Sequence, residues 1–546
     1  MRNFLGAIST HRPFLIPALL WLIVLVVALW SRPLLPIDET RAVTVAWEMW
    51  LRGDFLVPYL NGEPYSHKPP LLQWGTHLGW WLFGVNDWTP RLVAPLFGLF
   101  SLFLVQRIAL RLWPEQHAIA ALAPLVLLAL PLWATWSTLT LYDIPIGAFV
   151  LLAVLGVLRT SGGERGGWAL TGLALTGALL SKGPVVLIFF LPPALAAPWW
   201  RAAPPPGGWR RWYAGLAFAC LLGIALALCW AVPAAAAGGE EYGRAILWGQ
   251  FAGRVAHSFA HQKPWWWYVP ILPLMLLPWI FWPTLWKSAA RLRCDAGVRF
   301  CLALVVPALL VFSLISGKQV HYLLPLLPFF ALLAARALAD NPAITSPFRL
   351  WGMGVLFLLL GGAGGFVRVV EWWHGEMALP AYLRPWLEDI GPLWMLAMLG
   401  LGGFWLTRRG AAYLNGARLF AVASFVLLAM AHLAFRQVQF DRWDIEPLAR
   451  RVAEKQAAGL PVAQNSEYHG DLHFLGRLRQ PLFEARGDTD LRDWALAHPD
   501  GYVVLHFSPD EIRWPVALAD YTQGYRSKMA GLWKARVIGD WLRGRE

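Results

Sequence analysis

The chain contains, at residues 36–74, the stretch PIDETRAVTVAWEMWLRGDFLVPYLNGEPYSHKPPLLQW, which directly follows an apolar run long enough to cross a bilayer. Asp38 and Glu39 stand side by side near its start, and Lys68 precedes a Pro-Pro pair near its end. Charged groups at a membrane are costly and mark functional positions. The stretch therefore predicts a membrane protein with a polar site in its first loop.

The composition of the whole chain agrees with this prediction. Of its 546 residues, 58% are hydrophobic and 14% are charged, whereas a water-soluble chain carries about a quarter charged residues. The formal charge of +13 is spread through short loops between apolar segments. This distribution favours the positive-inside rule over nucleic-acid binding as its cause. The four cysteines have neither the pattern of a disulfide framework nor a zinc-type spacing.

About thirteen segments are apolar enough to be spanning helices, which need about 20 mostly apolar residues. They lie at residues 13–31, 90–112, 118–136, 141–158, 167–181, 184–200, 211–234, 265–286, 298–315, 320–338, 348–369, 391–407 and 417–436. The basic loops then fall on one side, which is predicted to be cytoplasmic together with the N-terminus. We therefore predict a mainly α transmembrane domain at 1–436, with its loop 32–89 outside, and a small periplasmic α/β domain at 437–546.

Helical and strand patterns are also present outside the predicted spans. The segment ETRAVTVAWEMWLRG has apolar residues at helical spacing and ends at Gly53, so it predicts an amphipathic helix on the membrane surface. Residues 71–83 and 241–256 predict two further interfacial helices. In the tail, DLHFLGRLRQPLF, GYVVLHFS and KARVIGDWL are typical of short strands, and DIEPLARRVAEKQAAG and DTDLRDWALAHP of helices. We interpret His469, Asp471 and His473 as scattered surface residues rather than a metal site.

The functional candidates are polar residues at the predicted outer helix ends, because ionisable groups at membrane depth are costly. They come from separate parts of the sequence: Asp38, Glu39, Lys68, Asp143, Lys182, Arg244, Arg254, His261, Lys318, His321 and Tyr322. Each has a structural alternative. The carboxylates could cap helix N-termini, and we interpret Lys182 as a snorkelling cap at a helix C-terminus. Lys318 precedes a predicted helix N-terminus, where a cation is disfavoured, so it indicates an anionic partner.

Cations gathered around one or two carboxylates suit a lipid-linked phosphate substrate. The cations would hold the phosphate or pyrophosphate and stabilise it as a leaving group. A carboxylate would act as general base on an incoming hydroxyl. Group transfer from a polyprenyl phosphate sugar has these requirements. The alternative from another class is a transporter or flippase of lipid-linked sugars, which should show repeat symmetry and polar residues at mid-membrane depth.

Four motifs occur in the order typical of one family: DETR, GDFLVPYLNGEPYSHKPP, HQKPWWWY and SGKQVHYLLPLLP. On these motifs, residues 10–440 resemble the GT-C glycosyltransferases, and among them the lipid A 4-amino-4-deoxy-L-arabinose transferases and their protein O-mannosyltransferase-like relatives. The resemblance implies a thirteen-helix GT-C fold. It also implies inverting transfer of a sugar from an undecaprenyl phosphate donor to a lipid A-like or other periplasmic acceptor.

The resemblance also assigns roles to individual residues. Asp38 matches the catalytic carboxylate, with Glu39 beside it, and Asp143 matches a second site carboxylate. The expected contacts to the donor phosphate are Lys68, Arg254, Lys318 and Tyr322. His261 matches a histidine next to a bound metal, but His67 stands where the family usually has a glutamate ligand. A divalent metal, zinc or magnesium, held by His261 and His67 is therefore left open.

Other expectations follow from the same comparison. Ala42 stands where the aminoarabinose transferases usually have tyrosine, so another sugar or acceptor is equally supported. A glycan ligase of the same fold is a further alternative. The expected partners are the polyprenyl phosphate-linked sugar donor, a lipid or glycan acceptor and membrane lipids, without nucleic acid. We expect a monomer in the bacterial inner membrane.

Overall fold

The computed structural model describes residues 14–248, 262–282, 285–286, 288, 291–340, 348–349, 351–374, 391–407, 409–410, 413–509 and 513–544. Within them, six helical segments are long and apolar enough to cross a membrane: Trp88–Leu112, Asp143–Ser161, Gly208–Ala237, Ala296–Leu314, Val320–Ala339 and Arg418–Ala457. Shorter apolar helices accompany them. The mainly α membrane fold is confirmed, whereas the count of thirteen spans stays a prediction.

The described α-helices are α1 Leu15–Ser31, α2 Asp38–Arg52, α3 Leu71–Phe83, α4 Trp88–Leu112, α5 His117–Leu128, α6 Pro131–Trp136, α7 Asp143–Ser161, α8 Gly167–Lys182, α9 Leu187–Leu195, α10 Ala197–Trp200, α11 Gly208–Ala237, α12 Glu240–Arg244, α13 Tyr268–Met275, α14 Ala296–Leu314, α15 Leu327–Ala339, α16 Trp351–His374, α17 Pro392–Thr407, α18 Tyr413–Trp443, α19 Glu446–Ala457, α20 His473–Gly476, α21 Asp488–Ala497 and α22 Ala535–Arg543. Short 3₁₀ segments lie at Pro184–Val186, Trp265–Trp267, Trp279–Phe281, Arg291–Cys294, Val320–Leu326 and Val516–Leu518.

Prolines interrupt several predicted spans. The segment predicted at 118–136 is two helices, α5 and α6, and the second begins at Pro131. The segment predicted at 184–200 is a 3₁₀ turn followed by α9 and α10. The described part of 265–286 is likewise split into short pieces. Proline has no N–H to donate and clashes with the preceding turn, so a proline-rich apolar run need not form one continuous helix.

Helices α7 and α8 pack closely, which brings the N-terminus of α7 next to the C-terminus of α8. The helices approach through glycines: a Cβ on Gly156 would lie 2.4 Å from Oγ1 of Thr171, and one on Gly167 would lie 2.2 Å from Oγ1 of Thr160. Small residues permit such contact between membrane helices. Because α7 begins at Asp143 and α8 ends at Lys182, this hairpin places those two side chains at the same end.

The tail contains a five-stranded mixed sheet in the order β6-β5-β7-β9-β8. Its strands are β5 Val462–Gln464, β6 Phe483–Glu484, β7 Tyr502–Phe507, β8 Tyr521–Tyr525 and β9 Lys528–Lys534; two-residue strands also occur at β1 Tyr59–Leu60, β2 Glu63–Pro64, β3 Phe348–Arg349 and β4 Arg409–Gly410. Strand β5 pairs in parallel with β6 and β7, and β9 pairs antiparallel with β7 and β8.

Both faces of this sheet are covered by helices. Along β7, Val504 packs in a core with Leu448 of α19, whereas Val503 packs on the other face with Ile538 of α22. This alternation is the period of two expected of a strand. The strand predicted from GYVVLHFS and the helices predicted from DIEPLARRVAEKQAAG and DTDLRDWALAHP are present. The division of the chain at residue 436 stays a prediction, since α18 runs through that position.

Two strand predictions in the tail are wrong. The run KARVIGDWL forms α22, in which Ala535, Ile538 and Leu542 are buried at helical spacing. The run DLHFLGRLRQPLF contains the short helix α20 and reaches strand β6 only at its end. Short apolar runs do not distinguish strand from helix reliably. The interpretation of Asp471 and His473 as surface residues is also wrong, because both are buried.

Candidate functional site

Helix α2 contains the acidic pair, Asp38 and Glu39, in its first turn. It begins at Asp38, its N-cap is Ile37, and no side chain caps it. Gly53 ends it in the left-handed conformation at φ 66°, with its N–H bonded to the carbonyls of Met49 and Trp50. The predicted helix and its glycine cap are therefore confirmed, whereas the interpretation of the carboxylates as N-caps is not. Both carboxylates still lie in the first turn, where the helix dipole favours them.

Glu39 is a buried connecting residue, with 1% of its surface exposed. Its Oε2 accepts hydrogen bonds from Nη1 of Arg32 at 2.7 Å and from the N–H of Leu35 at 3.0 Å. Its Oε1 accepts from the N–H of Thr140 at 2.6 Å. Glu39 thus ties the exit of α1 to the segment that precedes α7. These contacts favour a positioning role; a catalytic role for Glu39 stays a prediction.

Asp38 has the opposite environment, since 73% of its side chain is exposed. Its Oδ1 accepts a hydrogen bond at 2.7 Å from Nη2 of Arg41, one helical turn further on. A carboxylate held at a helix start by one flexible guanidinium remains accessible to a reacting molecule. The two neighbouring acids therefore differ in burial: Asp38 is accessible, whereas Glu39 is buried and connects separate segments.

Asp143 and Lys182 form an ion pair at the joined ends of α7 and α8. The Lys182 ammonium also lies 5.1 Å from the centre of the Tyr322 ring, within the range of a cation–π contact. The ring of Tyr322 contacts that of His321 at 4.9 Å, and His321 stacks on Trp136 at 6.2 Å. Lys182 thus lies in the last turn of α8, as we predicted, and it is also an ion-pair partner of Asp143.

His321 is the centre of the arrangement. Its imidazole lies within electrostatic range of four charged groups, Asp143, Lys182, Asp38 and Lys68. These residues come from separate elements of the chain, as the sequence predicted. The structure thus gathers two carboxylates and two cations around one half-buried aromatic cluster.

Lys68 approaches this cluster from the first loop. Its ammonium lies 6.0 Å from the centre of the Tyr142 ring. The Tyr142 hydroxyl accepts a hydrogen bond from Nε2 of Gln73 at 2.6 Å, and the same nitrogen is 3.4 Å from the carbonyl of Ala42. The buried side chain of Gln73 thereby links α3 and α2 to the residue that precedes α7.

Lys318 precedes the helical segment that begins at Val320, as the sequence predicted. It follows the C-terminal end of α14, where its Nζ donates to the carbonyls of Ile315 and, at 3.0 Å, of Lys263. A cation near a helix C-terminus is favourable. Burial lowers the pKa of its ammonium. These carbonyls already provide acceptors for the ammonium, so its contact with a donor phosphate stays a prediction.

The metal prediction has little support in the described part of the chain. There, no three His, Cys, Asp or Glu side chains are grouped as a metal site requires. His67 is exposed and packs its ring 5.0 Å from that of Tyr65. His261 and Arg254 lie outside the described residues. A metal therefore stays a prediction, and no chemical step is derived through one.

Some site residues were missed or undervalued by sequence reasoning. Arg41 stands in the DETR motif one turn after Asp38, a spacing that indicates an ion pair on a helix. Arg32, at the end of the first span, had no local signal for its pairing with Glu39. Trp136, which stacks on His321, was not among the candidates.

Comparisons with known proteins show which sequences and folds this chain is similar to. Residues 67–235 match the model of the dolichyl-phosphate-mannose-protein mannosyltransferase family. The chain aligns with a Pseudomonas fluorescens undecaprenyl phosphate-α-4-amino-4-deoxy-L-arabinose arabinosyl transferase at 28% identity, over 87% of this chain and 85% of the relative. It aligns with the transferase of that name from Pseudomonas aeruginosa at 27% identity, over 92% of this chain and 87% of the relative.

Solved structures define the fold. The crystal structure of apo ArnT from Cupriavidus metallidurans matches with a TM-score of 0.71 and 21% identity, over 96% of this chain and 98% of that one. The oligosaccharyltransferase of Archaeoglobus fulgidus matches with a TM-score of 0.54 and 11% identity, over 90% and 69%. The chain therefore has the GT-C fold of membrane glycosyltransferases. Its sequence is similar to those of the aminoarabinose transferases, as its motifs predicted.

Proposed function

We propose that this chain transfers a sugar from an undecaprenyl phosphate, or another polyprenyl phosphate, to a lipid A-like acceptor at the outer face of the bacterial inner membrane. The observation that carries the proposal is that charged side chains from separate segments meet here: Lys182 pairs with Asp143, and Lys68 lies 6.0 Å from the centre of the adjacent Tyr142 ring. Asp38 lies within electrostatic range of His321 in the same place. Relatives named for an undecaprenyl phosphate-linked aminoarabinose support this class of donor. The structure of Cupriavidus metallidurans ArnT bound to undecaprenyl phosphate, which shares this fold, supports it further.

The proposed reaction is a displacement at the anomeric carbon of the donor sugar. An acceptor oxygen forms a bond to that carbon, the bond from the carbon to the phosphate oxygen breaks, and polyprenyl phosphate leaves with the electron pair. Lys68 stabilises the charge that develops on the leaving phosphate. The Asp143–Lys182 ion pair holds the ends of α7 and α8 in place beside that phosphate. Attack from the face opposite the phosphate inverts the anomeric carbon.

Asp38 acts on the acceptor side. For a hydroxyl acceptor, its exposed carboxylate accepts the proton as the new bond forms. For an acceptor that is already an ionised phosphate, no proton needs to be removed, and Asp38 instead stabilises positive charge developing on the sugar ring. In this proposal the chain is a monomer, with its N-terminus cytoplasmic and its C-terminal domain periplasmic.

The testing experiment uses the full-length protein in nanodiscs with lipid extract that contains polyprenyl phosphate sugars. Release of free polyprenyl phosphate is followed for the wild type, Asp38→Asn and Lys68→Ala. We expect turnover by the wild type and loss of turnover in both variants, with unchanged thermal unfolding. A glycan ligase would consume only donors that carry a preassembled glycan. Donor binding without consumption by the wild type would exclude a transferase and support the transport alternative.

A further inference from the structure

The tail covers one face of helix α2. The Thr44 hydroxyl donates to the carbonyl of Gly470 at 3.0 Å and accepts from the N–H of Phe474 at 3.3 Å. One turn further, Nε1 of Trp47 donates to the carbonyl of Leu478 at 2.9 Å. Thr44 and Trp47 are both buried. The middle of α2 is therefore hydrogen-bonded to tail segment 470–478 and not packed on lipid.

The tail makes its tightest approach at Gly470. This residue has φ 83°, and a Cβ built on it would lie 2.8 Å from the Cα of Arg41 and 3.2 Å from its Cβ. Only a residue without a side chain fits such a contact with backbone. Arg41 is the ion-pair partner of Asp38. The tail backbone thus lies directly against the residue that holds the accessible carboxylate.

A second contact fixes the far end of α2. Glu48 accepts hydrogen bonds from the N–H groups of Asn61 and Gly62, at 2.6 and 2.9 Å, in the turn between β1 and β2. The Asn61 amide donates in turn to the carbonyl of Leu482 and to Oε1 of Glu484, at 2.9 and 2.6 Å. The helix and its following hairpin are therefore held by the tail at two separated places.

From these contacts we infer that the C-terminal domain is a positioning element for the site, acting through Gly470 and Thr44 on helix α2. The inference rests on the proposed function for its kinetic readout. Displacing α2 moves Asp38 and Arg41 relative to Asp143 and its neighbours, while Lys68 lies on a different segment. The tail therefore sets the rate of transfer more than the affinity for the donor.

The first test compares the same substitution at two glycines. Gly470→Ala and Gly459→Ala both place a side chain at positive φ, 83° and 76°, but Gly459 has open space around the added Cβ. Both variants therefore bear similar backbone strain, and only the first displaces α2. Displacement of about 1 Å can reduce a rate by about 100-fold. We expect kcat to fall at least about tenfold in Gly470→Ala, with KM for the donor within about twofold of wild type, and to stay unchanged in Gly459→Ala.

The second test uses the Thr44 hydroxyl. Thr44→Val removes both hydrogen bonds to the tail with little change in shape, whereas Thr44→Ser retains them. We expect Thr44→Val to lower kcat without changing KM for the donor, and Thr44→Ser to restore it. Equal kcat values in Gly470→Ala and Gly459→Ala, or in Thr44→Val and Thr44→Ser, would overturn the inference.

Hydrogen exchange separates this inference from the proposed function. Amides of residues 41–49 should exchange faster in Gly470→Ala than in Gly459→Ala, whatever the reaction. Faster exchange in a protein that consumes no donor would refute the transferase and leave the positioning contact standing. Unchanged exchange together with wild-type turnover would refute the positioning contact alone.

Discussion

Lys182 and Asp143 form a largely buried ion pair that joins the C-terminus of α8 to the N-terminus of α7. Their side chains are 14% and 8% exposed. The residues lie 39 positions apart in sequence and meet because the glycine-lined hairpin between the two helices brings its ends together. The ion pair therefore depends on the packing of α7 against α8, and it is also part of the candidate site at the end of that hairpin.

Replacing only one residue of this ion pair should destabilise the protein more, per residue replaced, than replacing both. Lys182→Met leaves a buried carboxylate without its cation, and Asp143→Asn leaves a buried ammonium without its anion. We expect each to lower the free energy of unfolding by about 3 kcal/mol, and the double variant to recover part of that loss. Thermal unfolding in one detergent measures all three. A double variant as unstable as the sum of the single ones would show that the two charges do not interact.

Substitutions of Asp38 and Glu39 should have different effects, because the first residue is exposed and the second is buried. Asp38→Asn removes an exposed charge with one surface ion pair, so we expect less than about 1 kcal/mol of destabilisation and a fall in kcat of about 100-fold or more. Glu39→Gln weakens the buried contact to Arg32 and should mainly lower the unfolding temperature. Turnover and unfolding are measured on the same samples. Wild-type turnover in folded Asp38→Asn would remove Asp38 from the reaction.

Lys68 should govern affinity for the donor. Loss of a charged contact to a phosphate costs about 1.5–3 kcal/mol, so we expect Lys68→Ala to raise Kd for polyprenyl phosphate at least about tenfold. Titration of the protein in nanodiscs with polyprenyl phosphate measures this. Lys528→Ala, which removes an exposed lysine of the tail, controls for the loss of one positive charge. The same change in Kd in both variants would indicate a general charge effect and no contact at Lys68.

Much of the fold could be predicted because its signals are local. Helix α2 has its apolar spacing and terminal Gly53 within one short segment, and α3 has the predicted bounds 71–83. Interruptions at prolines such as Pro131 were missed because apolar composition was given more weight than proline chemistry. The helix α22 was missed because a nine-residue run with little context fits either period.

The candidate residues were visible in the sequence, but the contacts between them were not. The motifs contain Asp38 and Lys68, and Asp143 is visible in the sequence as a charged residue at a predicted helix end. Whether a charge is exposed or paired depends on which distant segment packs against it. Glu39 meets Arg32 and the N–H of Thr140 only in the folded chain, so its difference from Asp38 has no sequence signal.

His473 in the tail should make stability depend on pH. It is buried in the segment that contacts α2, and burial lowers its pKa to about 4. Its Nδ1 lies 2.6 Å from the Tyr468 hydroxyl, which already accepts the N–H groups of Leu472 and His473. The hydroxyl proton is thus directed at Nδ1, which has no room for a proton of its own.

The direction of the pH effect follows from the two states. An unfolded histidine titrates near pH 6.5, so below that pH the unfolded chain binds a proton that the folded chain does not. The free energy of unfolding therefore falls as the pH is lowered from about 6.5 toward 4, by up to about 3 kcal/mol. The unfolding temperature, measured at about pH 7.5 and about pH 5, should fall less in His473→Gln than in the wild type. Replacing the exposed His498 by Gln is the matched control and should leave the fall unchanged. An equal fall in wild type and His473→Gln would show that another group carries the pH dependence.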